Sequence, residues 1–271
     1  MSVKMRDNSL MCFSNWLDYG GMDTYIMNIL GEQDFTHTNF YTNTQIKDAW
    51  KTYVSHVVNR YKNSPAIFSW ELANEARCQE SNCAGGVLTK WADEMSQYIK
   101  SLDSNHMITF GGYGYFNYGK TDIAASHDYD FNYDGDSGED YNAIIALPGI
   151  DFGTVHHYTV YDTSNNETYG LQWLKDHNAA SVKANKPMVV EELGVNRTSP
   201  GMSMVEVLQS YETYIASADA NAIQGVLLWS CDVVGGSCPF QGDPFAICQG
   251  DDFYTRLVTD FVKTMAKKSG S

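Results

Sequence analysis

The stretch NTQIKDAWKTYVSHVVNRYKNSPAIFSWELANE, residues 43–75, decides the fold class. Its apolar residues recur at three- and four-residue intervals from Ile46 to Tyr61 and the pattern stops at Pro65, which predicts an amphipathic helix. The apolar run that follows ends in the polar residues Asn74 and Glu75, as expected of a strand that is buried on both faces and opens into a site. A helix followed by such a strand is the repeating unit of a parallel α/β sheet.

The same alternation continues along the chain. Helices are predicted near 87–102, 170–184, 203–217 and 253–266, and the predicted strands are LMCFSNW (10–16), AIFSWELANE (66–75), HMITFGG (106–112), DFGTVHHY (151–158), PMVVEELG (187–194) and IQGVLLWS (223–230). Six strands joined by helical crossovers form a parallel sheet, either doubly wound or closed into a barrel. A glycine-rich phosphate loop follows none of the six, which argues against a nucleotide-dependent enzyme.

Composition limits the class of protein and its partners. The 271 residues fit one domain, and an α/β barrel typically takes about 250. Hydrophobic residues make up 43% of the chain, but they form no apolar run of about 18 residues that would span a bilayer. With 33 acidic against 18 basic residues, the net charge of −15 repels phosphate backbones and anionic lipids. Neither nucleic acid nor a membrane is expected as a partner, and the chain is expected to be a monomer.

Cysteines and glycosylation triplets favour an oxidising compartment. The triplets Asn166-Glu-Thr and Asn196-Arg-Thr are N-glycosylation acceptors, and the cysteine spacing does not repeat as a zinc site does. We therefore expect disulfides and secretion. Because MSVKMRDNSL lacks the apolar segment of a signal peptide, either a leader was removed or the sequence begins inside a longer protein. The six cysteines are Cys12, Cys78, Cys83, Cys231, Cys238 and Cys248.

Two carboxylates follow predicted strands and are the candidate catalytic pair. Glu75 ends one strand and Glu192 lies near the end of another, and the carboxyl ends of barrel strands form the active face. Hydrolysis of a glycosidic bond needs two carboxyl groups, one to protonate the leaving group and one to stabilise or capture an oxocarbenium-like centre. Since successive strand residues face opposite sides, Glu191 is expected to point away from Glu192. By its position, Glu71 is expected to be a buried structural residue.

Three further strand-end residues complete this candidate site. His156 and Tyr158 are predicted to hydrogen-bond the carboxylates, and Trp229 offers a flat apolar platform for a sugar. His157 is expected to be structural because of strand alternation. Residues 112–142 are rich in Asp, Tyr and Gly and look too polar for a core, which suggests either a functional surface loop or a simple insertion.

The segments SPAIFSWELANEARC (64–78), DFGTVHHY (151–158) and KPMVVEELG (186–194) resemble the fungal endo-β-1,4-mannanases of glycoside hydrolase family 5. RYKNSP and NWLDYGGMDTYI (15–26) extend the likeness to nearly the whole chain. The resemblance implies an α/β fold of the (β/α)8 TIM-barrel type, with about six of the eight βα units in this chain. Residues 1–271 are then a single catalytic domain that lacks its first two βα units.

The resemblance also implies a role for each candidate residue. Glu75 is the acid/base and Glu192 the nucleophile of a retaining, endo-acting hydrolase of β-1,4-mannosidic linkages in mannans, galactomannans and glucomannans. No metal or organic cofactor is implied. The substrate-binding residues are Asn74 at the sugar 2-hydroxyl, His156 and Trp229 at the catalytic subsite, Tyr158 at the nucleophile, and Trp16 and Arg77 at neighbouring subsites.

This sequence also departs from the family pattern. Ala76 stands where a proline is expected and Leu193 where an aromatic residue is expected. The strand that carries an arginine supporting the nucleophile has no counterpart. Three alternatives to a mannanase therefore stay open, namely a β-glucanase, an exo-mannosidase, and an inactive carbohydrate-binding remnant.

Overall fold

The computed structural model describes residues 21–32, 36–79, 83, 85–119, 131–159, 167–232, 243–248 and 252–263. The predicted strand at 10–16 and the candidate Trp16 lie outside them. In chain order the elements are α1 (Met22–Leu30), α2 (Thr38–Thr42), α3 (Thr44–Tyr61), β1 (Ser69–Glu71), α4 (Val87–Leu102), β2 (Met107–Thr109), α5 (Phe131–Asp134), α6 (Tyr141–Ile145), β3 (Gly153–Tyr158), α7 (Glu167–Lys183), β4 (Met188–Gly194), α8 (Met204–Ala220), β5 (Gly225–Leu228), β6 (Cys231–Asp232), β7 (Ile247–Cys248), α9 (Asp252–Tyr254) and a π-helical turn (Thr255–Asp260).

The chain forms two compact units, which we call the first unit (residues 1–155 and 179–188) and the second unit (156–178 and 189–271). Helix α3 of the first unit is the predicted amphipathic helix, and it begins at Thr44 because the Asn43 side chain accepts hydrogen bonds from the N–H groups of the first turn. Its buried face has a spacing of four residues, and Tyr61 at the end of the predicted pattern is exposed. The face is Ile46, Trp50, Val54 and Val58.

An aromatic cluster forms the core between the helices of the first unit. The Trp91 ring of α4 meets Trp50 of α3 at 5.5 Å and Tyr41 of α2 at 5.6 Å, both edge to face. At the surface of the same helices, Glu94 pairs with Lys47 and Lys51. The helices are thus joined by apolar contacts inside and by charge outside.

Strands β1 and β2 of the first unit pair in parallel, with Ser69 opposite Met107 and Glu71 opposite Thr109. The pairing continues beyond the strands, because the N–H groups of Leu72 and Ala73 donate to the carbonyls of Thr109 and Phe110 at 3.1 Å. The end of β1 is therefore held against its neighbour up to the predicted site residues.

The second unit contains most of a three-stranded sheet in the order β3-β4-β5. Strands β4 and β5 are parallel and are joined by α8, which begins with a capping box between Ser203 and Glu206. This is the parallel pairing with a helical crossover that the sequence predicts. A short parallel pair, β6 with β7, follows.

The expectation that residues 112–142 are too polar for a core is wrong for the part that the structure describes. Tyr115, Phe116 and Tyr133 are buried, and the Phe116 ring stacks on Tyr133 at 5.4 Å. The buried Glu139 carboxylate accepts hydrogen bonds from backbone N–H groups of the same segment. Aromatic packing and backbone hydrogen bonding thus bury a segment whose composition suggests a surface loop.

Among the described residues, we find no helix with the length and apolar character needed to cross a membrane.

Candidate active site

The candidate residues fall into two groups, one in each unit. The Glu75 group consists of Asn74, Glu75 and Arg77 in the first unit. The Glu192 group consists of His156, Tyr158 and Glu192 in the second unit.

Glu75 lies just beyond β1 and is held by its backbone. Its N–H donates to the carbonyl of Gly111 at 2.7 Å, and the residue is 4% exposed. Its φ of 49° lies in the left-handed region. Residues other than glycine seldom adopt this conformation, and those that do are often found at functional sites. The backbone of β1 therefore turns sharply at the predicted catalytic residue.

Gly111 allows this close approach of the two strand ends. It has a φ of +79°, and a Cβ there would overlap the Ala73 carbonyl oxygen and the Glu71 carboxylate. Glu71 is 1% exposed, which agrees with its expected place inside the fold. A residue without a side chain is required at position 111.

Arg77 is placed beside Glu75 by an aromatic platform. Its Nη2 lies 3.6 Å from Oε2 of Glu75, and its guanidinium carbon lies 5.0 Å and 5.7 Å from the ring centroids of Tyr115 and Tyr113. The two rings stack on one another at 4.8 Å. A planar guanidinium on an aromatic face is a favourable and orienting contact. The next residue, Cys78, is anchored by a disulfide to Cys83.

Asn74 carries an unusual amide. The residue is 1% exposed, and among the described residues neither Nδ2 nor Oδ1 has a hydrogen-bond partner. Buried polar atoms without partners are rare, and at a functional site they often await a ligand.

In the second unit, β4 contains a bulge at the predicted nucleophile. Val190 pairs with Val226 and Leu193 with Leu228, so β4 places one more residue between the pairs than β5 does. Glu191 and Glu192 are the two residues within this irregularity, and they are 3% and 2% exposed.

Both glutamates of the bulge reach the same histidine. Nε2 of His156 lies 3.3 Å from Oε2 of Glu191, and Nδ1 of His156 lies 3.7 Å from Oε2 of Glu192. The expectation that Glu191 points away from Glu192 is therefore wrong, because the bulge breaks strict strand alternation. Sequence reasoning thus misses that Glu191 contacts a residue of the Glu192 group.

Tyr158 donates a hydrogen bond from its hydroxyl to Oε2 of Glu192. The Tyr158 ring is held edge to face by Phe245 at 5.0 Å, and Gly194 leaves room for it. The contact expected between Tyr158 and Glu192 is thus present. His157 points elsewhere, and its ring packs on Tyr214 at 4.7 Å.

Trp229 directly follows β5 in the second unit. Its backbone N–H donates to the Leu193 carbonyl at 3.0 Å, and its peptide bond to Ser230 is cis. The residue is half-buried. The residue is thus tied by its backbone to the strand that carries Glu192.

Parallel strands with helical crossovers, with one buried carboxylate just beyond β1 and another near the end of β4, are typical of the class of (β/α) barrel enzymes. Residues 8–236 match the profile of the family described as "GH family 5 beta-mannosidase-like". The chain belongs to glycoside hydrolase family 5, and its α/β fold of the (β/α)8 TIM-barrel type is confirmed.

Named relatives and solved structures agree with this membership. A probable mannan endo-1,4-beta-mannosidase C of Aspergillus terreus is 44% identical over 67% of this chain and 44% of its own length. A probable mannan endo-1,4-beta-mannosidase A-1 of the same fungus is 38% identical over 94% and 61%. The chain thus spans about half the length of these relatives.

Two solved structures are similar throughout the chain. The endo-1,4-beta-mannanase of Rhizomucor miehei is 35% identical with a TM-score of 0.82, covering 98% of this chain and 72% of that one. An endo-beta-1,4-mannanase of Thermotoga petrophila is 28% identical with a TM-score of 0.80, covering 94% and 57%. The similarity to endo-mannanases therefore extends across both units.

Proposed function

We propose that this protein is a secreted, monomeric, retaining glycoside hydrolase that cleaves β-1,4-mannosidic bonds inside mannan, galactomannan and glucomannan chains. The observation that carries the proposal is the setting of Glu192. One of its carboxylate oxygens accepts a hydrogen bond from the Tyr158 hydroxyl and also faces the His156 ring. The names of the relatives supply the substrate class.

The reaction has two steps, in which Glu75 and Glu192 act on one glycosidic bond. Glu75 protonates the leaving oxygen while the Glu192 carboxylate attacks the anomeric carbon, which gives a covalent glycosyl-enzyme and frees the leaving chain. Glu75 then removes a proton from water, whose oxygen attacks the same carbon and releases Glu192. Two displacements retain the anomeric configuration.

The remaining residues bind and orient the sugar. The buried Asn74 amide, which lacks a partner among the described residues, has both a donor and an acceptor for the 2-hydroxyl. Trp229 provides an aromatic platform at the catalytic subsite. Arg77, fixed on its tyrosine platform, and Trp16 line neighbouring subsites.

A comparison of substrates tests the proposed activity. The folded 271-residue chain is incubated with mannan, glucomannan and barley β-glucan, and products are separated by length. Internal cleavage predicts a range of manno-oligosaccharides, whereas an exo-mannosidase would release only mannose. Turnover of β-glucan equal to that of mannan, or binding of mannan without cleavage, would overturn the proposal.

Azide distinguishes the roles of the two glutamates. With an aryl β-mannoside whose leaving group needs no protonation, Glu192→Ala plus azide is expected to give the α-mannosyl azide by one displacement. Glu75→Ala plus azide is expected to give the β-mannosyl azide by two displacements. Products of the opposite configuration would exchange the two assignments.

A further inference from the structure

Glu191 is a buried carboxylate that the proposed mechanism does not use. It is 3% exposed and lies on β4 next to the proposed nucleophile. Its carboxylate faces Nε2 of His156, whose other ring nitrogen faces Glu192. The fully buried imidazole therefore lies between two carboxylates of adjacent residues.

Electrostatics decides which form of His156 fits this position. A neutral imidazole can donate its one N–H to Glu191 but carries no charge to pair with either carboxylate, whereas an imidazolium donates to Glu191 and places a protonated Nδ1 3.7 Å from Glu192. Two buried carboxylates side by side repel each other, and buried charges are normally paired. One cation between them satisfies both requirements.

We propose that Glu191 is a positioning residue that, together with Glu192, holds His156 as a doubly protonated imidazolium beside the nucleophile. The role in catalysis rests on the proposed function, because it assigns Glu192 as the nucleophile. The protonation of His156 does not depend on activity and can be measured separately.

The surroundings of His156 support a fixed ring. The Trp173 indole donates to the His156 backbone carbonyl at 3.2 Å, which anchors β3 to α7 at this residue. In the part of the second unit that the structure describes, Glu191 and Glu192 are ionisable groups that face the ring, and the Tyr158 hydroxyl donates to the same Glu192 oxygen that faces His156.

The imidazolium has a defined effect on the nucleophile. It stabilises the ionised carboxylate of Glu192, which is the form that attacks and also the form that leaves when the intermediate breaks down. Without the Glu191 charge, His156 would lose its second proton at a lower pH and Glu192 would face a neutral ring. Since Glu191 is not assigned a contact with sugar, its loss should lower kcat without raising KM.

Nitrogen NMR of the histidine rings tests the inference directly. The chain has seven histidines, and the His156 signals are assigned by their loss in His156→Gln. In the wild type, both ring nitrogens of His156 are expected to carry protons at pH 7. In Glu191→Gln, the pH at which the second proton is lost should fall by about one unit or more.

Two further variants separate charge from packing. Glu191→Asp keeps the charge on a shorter side chain and should retain the imidazolium signals. Glu212→Gln, at an exposed glutamate that pairs with Arg256, should leave His156 unchanged. Activity should fall by roughly tenfold or more in kcat for Glu191→Gln and by less for Glu191→Asp.

A neutral His156 in the wild type at pH 7 would overturn the inference, and so would an unchanged His156 titration in Glu191→Gln. The wild-type measurement stands even if Glu191→Gln does not fold. An imidazolium in a chain that cleaves no mannan would overturn the proposed function and leave the assignment of Glu191 to His156 intact.

Discussion

The indole N–H of Trp70 donates a hydrogen bond to Oδ2 of Asp103 at 2.8 Å, which joins β1 to the residue that follows α4. The Asp103 carboxylate also accepts a hydrogen bond from the backbone N–H of Asn105 at 2.9 Å, and it lies 2.6 Å from Nδ1 of the His106 ring. The strand that leads to Glu75 is therefore fixed to the helix that packs beside it.

This contact predicts how stability depends on pH. Burial alone would raise the pKa of the Asp103 carboxyl, but the hydrogen bonds from Trp70, Asn105 and His106 outweigh it and hold that pKa below its usual range. A lowered pKa stabilises the fold above the unfolded value of about 4, and this stabilisation is lost as the pH falls through the folded value. Asp103→Asn should lower the free energy of unfolding by about 2 kcal/mol at pH 7.

Denaturant unfolding at pH 7 and at pH 3 checks this prediction. The difference between wild type and Asp103→Asn should shrink at the lower pH, and a constant difference would show that the charge is not responsible. Asp48→Asn, on the exposed side of α3, is the matched control and should change the free energy by less than about 0.5 kcal/mol.

A second stability prediction concerns Gly111, where adding a single methyl group should lower the free energy of unfolding by more than Asp103→Asn does. Gly111→Ala adds one methyl group that must overlap the Ala73 carbonyl and the Glu71 side chain, in a backbone with φ of +79°. Gly31→Ala meets a similar φ of +72° with no atom within 4 Å of the added carbon. We expect about 1–2 kcal/mol of destabilisation for Gly31→Ala and about 3 kcal/mol or more for Gly111→Ala. Equal losses in thermal or denaturant unfolding would mean that the strand ends can separate without cost.

Each of the five predicted helices and five of the six predicted strands has a counterpart in the structure, because these elements depend on local information. The helices α1, α2, α5 and α6 and the strands β6 and β7 are not among the predictions. The four-residue spacing from Ile46 to Val58 and the caps at Asn43 and Ser203 are present in the chain itself. The predicted strand at 10–16 and Trp16 lie outside the described residues, and their structure stays a prediction.

What the sequence could not predict depends on pairing between distant segments. The bulge that turns Glu191 towards His156 exists only in the register of β4 against β5. The buried state of residues near Tyr115 depends on a carboxylate 24 residues further along, at Glu139, and on ring stacking. Composition alone makes the same residues look like a solvated loop.

That buried carboxylate gives a further prediction about stability. Oε2 of Glu139 accepts the N–H groups of Gly114 and Tyr115, both at 3.1 Å. Glu139→Gln removes the charge and replaces one acceptor oxygen with a donor, so we expect about 1–3 kcal/mol of destabilisation in denaturant unfolding. Glu94→Gln, which breaks only a partly exposed pair with Lys47 and Lys51, should lose less than about 1 kcal/mol. If the two variants unfold alike, the backbone contacts of Glu139 contribute little.

The hydroxyl of Tyr158 gives the last prediction, which concerns activity rather than stability. Tyr158→Phe keeps the ring and its contact with Phe245 but removes the hydrogen bond to Glu192. A hydrogen bond to a charged group contributes about 1.5–3 kcal/mol, so kcat on mannan should fall roughly 10- to 100-fold with little change in unfolding. Tyr98→Phe is the matched control, because it removes a hydroxyl that donates to the Lys51 carbonyl, on helices that carry no proposed site residue, and its kcat should equal that of the wild type. Wild-type kcat in Tyr158→Phe would show that this hydroxyl does not assist the nucleophile.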